Sequence, residues 1–420
     1  MDHFNYRNGQ LYAEDVSVAE IATSVGTPFY VYSTATLVRH FQLFDEALDG
    51  MDHCICYAMK AASNQAILKT LGNLGAGMDV VSGGEYRRAL SAGIPPEKVV
   101  FSGVGKTLEE ITLALKNGIR QFNVESDSEL EQISSIASSM DKIAPIAVRI
   151  NPDVDAQTHE KIATGKAENK FGIPLSRARE VYSKASQMPG INIVGIDLHI
   201  GSQLTDLKPF KKAYQKLADL TQVLRQDGHK IKRLDLGGGL GIPYEKNKSA
   251  PPLPVEYGKM VKEVLGHLDC EIEIEPGRLI VGNAGILVSS VLGVKIGDNR
   301  NFLILDAAMN DLIRPAMYDA YHDIIPVKQR SSPEAVYDVV GPVCETGDTF
   351  AKKRTMPKLT ESDLVAFRSA GAYGAVMSSE YNTRPLIPEV MVNKNEFSII
   401  RKRPSYEEII GRDIIPNWLK

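Results

Sequence analysis

Long apolar runs are missing from this chain. No stretch is long enough to span a bilayer, and the opening Met1-Asp2-His3-Phe4-Asn5-Tyr6-Arg7 lacks the apolar segment of a secretory signal. Both absences lead us to expect a cytoplasmic protein with no membrane partner. An excess of either charge is missing too: a net charge of -4 and a pI near 6.1 offer no basic footprint for nucleic acid, so the expected partner is a small molecule. Cysteine is scarce, with Cys54, Cys56, Cys270 and Cys344 forming no CxxC pair and no cysteine–histidine cluster, so no metal site is expected. The first three lie in apolar, strand-like contexts and read as reduced core residues, whereas Cys344 sits in the turn-rich Gly341-Pro342-Val343-Cys344-Glu345-Thr346-Gly347-Asp348.

What is present is ample material for folding. With 420 residues, 43% hydrophobic and 24% charged, the chain exceeds one ordinary core and is neither disordered nor fibrous. Short apolar strands alternate with helix-period stretches, and eight strands are expected at 53–58, 77–81, 98–103, 119–124, 146–151, 194–200, 231–236 and 271–275. Helices are expected between them, including 63–74, 107–116, 126–140 and 207–226, the third opening on a Ser126–Glu129 capping box. Eight βα units over about 250 residues match the size of a (β/α)8, TIM-like barrel. Beyond residue 285 the pattern becomes β-rich, at 286–296, 301–307, 335–340, 363–370 and 397–401, and Pro28-Phe29-Tyr30-Val31-Tyr32 reads as another strand. The expected layout is an α/β barrel over 34–282, with residues 1–33 and 283–420 forming a β-rich domain that the N-terminal strand completes.

In such barrels chemistry gathers at the C-terminal ends of the strands. There the sequence places Lys60, then His199-Ile200-Gly201-Ser202-Gln203, then Gly237-Gly238-Gly239, then Glu275-Pro276-Gly277-Arg278. Taken singly, each has an ordinary explanation: a lysine that snorkels from a strand end, a core histidine, a tight glycine turn, a rim carboxylate. Together they supply an amine for an aldehyde, backbone N–H groups for a phosphate and an acid for a ring nitrogen, which describes pyridoxal 5′-phosphate. Asp79, at the end of the second strand, is placed to support the lysine or the cofactor.

Tyr57-Ala58-Met59-Lys60-Ala61, the three strand-end motifs above, Arg314-Pro315-Ala316-Met317-Tyr318, Cys344-Glu345-Thr346-Gly347-Asp348 and Gly371-Ala372-Tyr373-Gly374 resemble the motifs of fold-type III pyridoxal-phosphate decarboxylases, and among them the diaminopimelate decarboxylases. The likeness runs in order over nearly the whole chain, with Thr346 a mild departure where serine is more usual. It implies Lys60 as the Schiff-base lysine and His199 stacked on the cofactor. It also implies Ser202, the three glycines and the segment from Glu275 through Pro276 and Gly277 to Arg278 around the cofactor, with Glu275 at the pyridine nitrogen and Tyr373 near cofactor and substrate. Cys344 is implied as proton donor, and Cys344 and Glu345 as residues lent to the active site of the partner subunit in a homodimer.

The implied activity is decarboxylation of meso-2,6-diaminopimelate to L-lysine, the last step of lysine biosynthesis. Diaminopimelate carries a distal carboxylate as well as a distal ammonium, and Arg278, Arg314, Tyr318 and Glu345 provide for both. Arg314 and Tyr318 stand at i and i+4, one face of a helix, although Arg314 could equally form a surface ion pair with Asp311 or Asp319. Ornithine, lysine, arginine or carboxynorspermidine decarboxylases remain alternatives on the same fold, as do a non-catalytic cofactor-binding homologue and an alanine-racemase-like isomerase. Residues 155–172 are too many for a simple connector and read either as a lid at the mouth or as a dimer loop.

Overall fold

The computed structural model describes every residue except 1, 157, 163, 167, 246–249 and 420. The chain divides into two compact units, Leu37–Pro243 with Asn247–Ile280, and Met1–Thr36 with Tyr244–Lys246 and Val281–Lys420.

The first unit is built on eight strands: β1 (His53–Ala58), β2 (Gly77–Val80), β3 (Val99–Phe101), β4 (Gln121–Val124), β5 (Ala144–Asn151), β6 (Ile191–Asp197), β7 (Arg233–Asp235) and β8 (Glu271–Ile274). Neighbours pair in parallel in the order β5-β6-β7-β8-β1-β2-β3-β4, and β4 pairs back onto β5, closing the (β/α)8 barrel. Parallel neighbours require crossovers, which the intervening helices supply. Helix Leu108–Asn117 starts on Thr107, whose hydroxyl accepts from Glu110 N while Glu110 reaches back to Thr107 N, a complete capping box. The box expected at Ser126 is only half formed. Ser126 accepts from Glu129 N, but the Glu129 carboxylate turns to Glu125 N and to the buried ammonium of Lys106, stronger partners than one exposed amide.

Barrel interiors are ordinarily packed with branched apolar side chains. This one is polar. Asn123 Nδ2 donates to Asp235 Oδ2 at 2.9 Å, Gln121 Nε2 to Glu273 Oε1 at 3.4 Å, and Arg120 Nε to Glu273 Oε2 at 2.6 Å. Cys54 and Cys56, two residues apart on β1, bring their sulfurs to 3.8 Å of one another beside Glu273, a carboxylate already engaged by the Arg120 guanidinium. The apolar residues face outward against the helices, among them Ile55, Tyr57, Val80 and Phe122.

In the second unit, strand Gly285–Ile296 pairs antiparallel with Phe29–Ser33, Asn301–Leu305 and Leu364–Phe367. Phe29–Ser33 also pairs in parallel with Glu389–Asn393. The N-terminal strand is thus interior to the sheet. Its Phe29 and Val31 pack with Ile286, Val288, Ala366 and Val390 in a core capped by Val18 and Ile21 of helix Val18–Val25. Thr349–Pro357 and Glu389–Asn393 are strands beyond those expected. Among the described residues no helix is long and apolar enough to cross a membrane.

Candidate active site

β1 ends at Ala58, whose N–H donates to Pro276 O, tying it to the segment after β8. The short 3-10 turn Met59–Ala61 then lifts Lys60 to the rim. Its Nζ lies 2.6 Å from Asp79 Oδ2; the lysine side chain is 38% exposed while the aspartate is fully buried. Lys60 is therefore held by a buried carboxylate with its amine within reach of a ligand. Asp79 Oδ1 and Asp197 Oδ1 are buried with no hydrogen-bond partner among the described residues.

Around this pair stand further carboxylates. Glu275 Oε1 accepts from Ser102 Oγ at 3.3 Å and Asn123 Nδ2 at 3.4 Å, both neutral donors. Burial, then repulsion from Asp79 and Asp197, push its pKa well above the carboxylate range. Asp235 is raised for the same reasons, burial first and then Glu275. Asp197 is pushed up to about 7 by burial, against the pull of Arg149, whose Nε is 3.8 Å away. Arg149 also donates to Glu125 Oε1 at 3.1 Å. Lys60 thus faces Asp79 and Arg149 lies near Asp197 and Glu125, with Glu275 and Asp235 buried nearby.

The turn after β7 is shaped for close approach. Gly237 has φ +60°, and a Cβ there would lie 2.5 Å from His199 Nδ1; Gly239 has φ +117° and would meet Gly201 O. Gly238 N–H donates to His199 Nδ1 at 3.1 Å, which leaves the imidazole proton on Nε2. Desolvation, with Arg149 and Lys60 beside the ring, lowers the His199 pKa well below its ordinary value. Arg278, itself buried, donates from Nη2 to Ser202 Oγ at 3.1 Å. Described residues of the 155–172 segment join this loop: Ser202 N–H donates to Ile162 O and Thr164 N–H to Ile200 O. Its residues 157, 163 and 167 lie outside the described ones.

Lys60, Asp79, His199, Ser202, Gly237, Gly238, Gly239, Glu275, Pro276, Gly277 and Arg278 therefore all belong to the barrel rim. Asp197, Asp235, Arg149 and Asn123 join them, and sequence reasoning passed these four over. The remaining candidates belong to the sheet unit. Helix Arg314–Tyr318 carries Arg314 in a buried position, against the surface ion-pair reading. His322 Nδ1 donates to Arg368 O, so its Nε2 accepts from Arg314 Nη1 at 2.8 Å, and the Tyr244 ring lies 4.8 Å from the guanidinium carbon. Cys344 and Glu345 are exposed, and Tyr373 sits half-buried at φ +56°. Asp348, buried, accepts from Val343 N and Met309 N at 2.7 Å each and so shapes the Cys344–Glu345 loop.

Residues 34–282 match the family model described as the pyridoxal binding domain of pyridoxal-dependent decarboxylases. Over 419 residues the chain is 49% identical to a diaminopimelate decarboxylase of Zymomonas mobilis, covering 99% of each. The chain belongs to the diaminopimelate decarboxylase family. Another member, from Vibrio cholerae, is 52% identical over 96% of each chain. Among solved members, the diaminopimelate decarboxylase from M. jannaschii in co-complex with L-lysine superposes with a TM-score of 0.95 at 37% identity, covering 100% of this chain and 99% of that one. The Helicobacter pylori diaminopimelate decarboxylase complexed with L-lysine gives 0.90 at 42% identity, over 94% and 98%. As a member of this family the chain is a pyridoxal-phosphate-dependent decarboxylase. The rim fits that cofactor on its own terms: an accessible amine, a glycine turn whose φ and close neighbours leave no room for a Cβ, and a buried acid in Glu275.

Proposed function

We propose that this enzyme decarboxylates meso-2,6-diaminopimelate to L-lysine and carbon dioxide, in the cytoplasm and as a homodimer. The observation that carries the reading is the Lys60 amine, 2.6 Å from a wholly buried Asp79 and on the same rim as the glycine turn. Bound pyridoxal phosphate supplies an electron-poor ring that accepts the electron pair left when the α-carboxylate departs. Lys60 is the amine that holds the cofactor's aldehyde, and Asp79 orients it. The Gly237–Gly239 backbone and Ser202 receive the phosphate, with Pro276, Gly277 and Arg278 on that side. Glu275, a buried acid with a raised pKa, would hold a proton where the ring nitrogen of the bound cofactor needs one. His199 stays neutral and offers a flat face. The reaction exchanges carbon dioxide for one proton at the α-carbon, and Cys344 Sγ delivers that proton.

For the distal end of the substrate, Arg278, Arg314 and Tyr318 take the carboxylate and Glu345 the ammonium, with Tyr373 between cofactor and substrate. Arg314, buried with its Nη1 on His322 Nε2, is a fixed cation suited to a carboxylate, and ornithine, lysine and arginine have no distal carboxylate. Cys344 and Glu345 are exposed in the single chain, which supports their being lent to the active site of the partner subunit. The test is incubation of the holoenzyme with meso-diaminopimelate, expecting equimolar lysine and carbon dioxide. Faster release from ornithine, lysine, arginine or carboxynorspermidine overturns the substrate assignment.

A further inference from the structure

Glu345 does not stand alone on its loop. Tyr381, thirty-six positions along the chain, donates its hydroxyl to Glu345 Oε2 at 2.8 Å. A hydrogen bond between two exposed side chains ordinarily contributes little, because both must be ordered to make it. Here both ends are ordered by other contacts. On one side Asp348 fixes the Cys344–Glu345 loop, and Glu345 Oε1 lies over Gly347, where a Cβ would come within 3.0 Å of it. On the other, Ser379 exchanges hydrogen bonds with Asn310, and Arg384 Nε donates to Asn310 Oδ1 at 3.1 Å. Between those anchors Asn382 and Thr383 both adopt left-handed backbone, φ +56° and +57°. That conformation is unfavourable for a β-branched threonine and is found where a site requires it.

One segment serves both ends: Met309 N–H donates to Asp348 Oδ1, and its neighbour Asn310 holds the Tyr381 turn. The phenol and the carboxylate are thus fixed against a common base. With Oε2 engaged and Oε1 set over Gly347, the carboxylate has one orientation in which to meet a cation.

We propose that Tyr381 is a positioning residue for substrate selectivity, holding the Glu345 carboxylate in the orientation that receives the distal ammonium. The inference rests on the reading of Glu345 given above. It makes Tyr381 a determinant of which amino-acid tails are accepted, acting only through Glu345.

The test is Tyr381→Phe in the holoenzyme, assayed with meso-diaminopimelate and with 2-aminopimelate as competitive inhibitor, which keeps the distal carboxylate and lacks the distal amine. The expected result is a KM for diaminopimelate raised about tenfold, the worth of one hydrogen bond to a charged group. The rate constant kcat stays within about twofold, the inhibition constant of 2-aminopimelate is unchanged, and Tyr381→Phe adds nothing on a Glu345→Gln background. An unchanged KM overturns the inference, as does a loss of affinity shared equally by both compounds, which would mark a merely structural role. If Glu345→Gln itself fails to separate the two compounds, the Glu345 assignment falls, and this inference with it. If Glu345→Gln separates them and Tyr381→Phe does not, only the inference falls.

Discussion

The barrel rim and the sheet unit solve opposite problems. At the rim, ionisable groups are buried together: Asp79 lies against Lys60 and Asp197 near Arg149, and burial with repulsion from neighbouring carboxylates raises the pKa of Asp235 and Glu275. In the sheet unit Cys344 and Glu345, to which the proposal gives chemistry, are exposed on a loop fixed by its anchors. A group that must keep a cofactor charged needs a dry, preset field. A group that must admit substrate and protons needs an opening. The difference separates a dry, preset field at the rim from exposed groups on the sheet unit, and it is the exposed groups that the proposed dimer would cover.

The rim half of this comparison breaks most severely at Lys60. Lys60→Ala should lose the visible cofactor band and bring turnover to background; a band that survives dialysis in that variant would remove Lys60 from its role. Next is Glu275→Gln, which should keep the cofactor bound and lower kcat roughly 10²–10⁴-fold, since a neutral amide cannot hold the ring nitrogen protonated. A full rate in this variant would show that the buried carboxylates do not set the cofactor's charge.

For the sheet half, Cys344→Ala should lower kcat by about 10² with little change in KM. Mixing it with inactive Lys60→Ala should restore activity, because one site of each hybrid dimer is intact. No recovery after verified subunit exchange would place both residues in the same chain's site. Smaller still is Gly237→Ala, expected to cost about 1–3 kcal/mol of stability or the equivalent in cofactor affinity, read by thermal unfolding with and without cofactor.

The smallest effect concerns pH. His199 has a folded pKa below its unfolded value of about 6.5, so below that pH the unfolded chain binds a proton that the folded one refuses. Its contribution is whole above about pH 6.5 and is lost as pH falls toward the folded pKa, by at most about 1.4 kcal/mol per pH unit. The stability difference between the cofactor-free protein and its His199→Gln variant should therefore change between pH 7.5 and 5. A constant difference would mean the imidazole is not held neutral.

Much of the rim was legible because a lone charge in an apolar strand is conspicuous, as Lys60 was after Ile55-Cys56-Tyr57-Ala58. Arg149 between Val148 and Ile150, Asp197 after Ile196 and Asp235 between Leu234 and Leu236 carry the same signature, and it could have found them. Their partners could not be read, since Arg149 meets Glu125 and Asp197 only once the barrel closes. The strand Thr349–Pro357 was hidden by Lys352-Lys353-Arg354, charges suited to an edge strand that interrupt the apolar alternation. Tyr381 lies in a polar loop without periodicity, and nothing short of the folded chain joins it to Glu345.

The interior position of Phe29–Ser33 has a consequence for how the molecule is made. That strand precedes the whole barrel sequence, yet its neighbours Gly285–Ile296 and Glu389–Asn393 follow it. Pairings so distant along the chain form slowly. During synthesis the barrel can close while Phe29–Ser33 still waits for its partners, so the sheet that bears Cys344 and Glu345 is the late-assembling part of the chain, and a C-terminal fragment expressed alone would lack one of its interior strands.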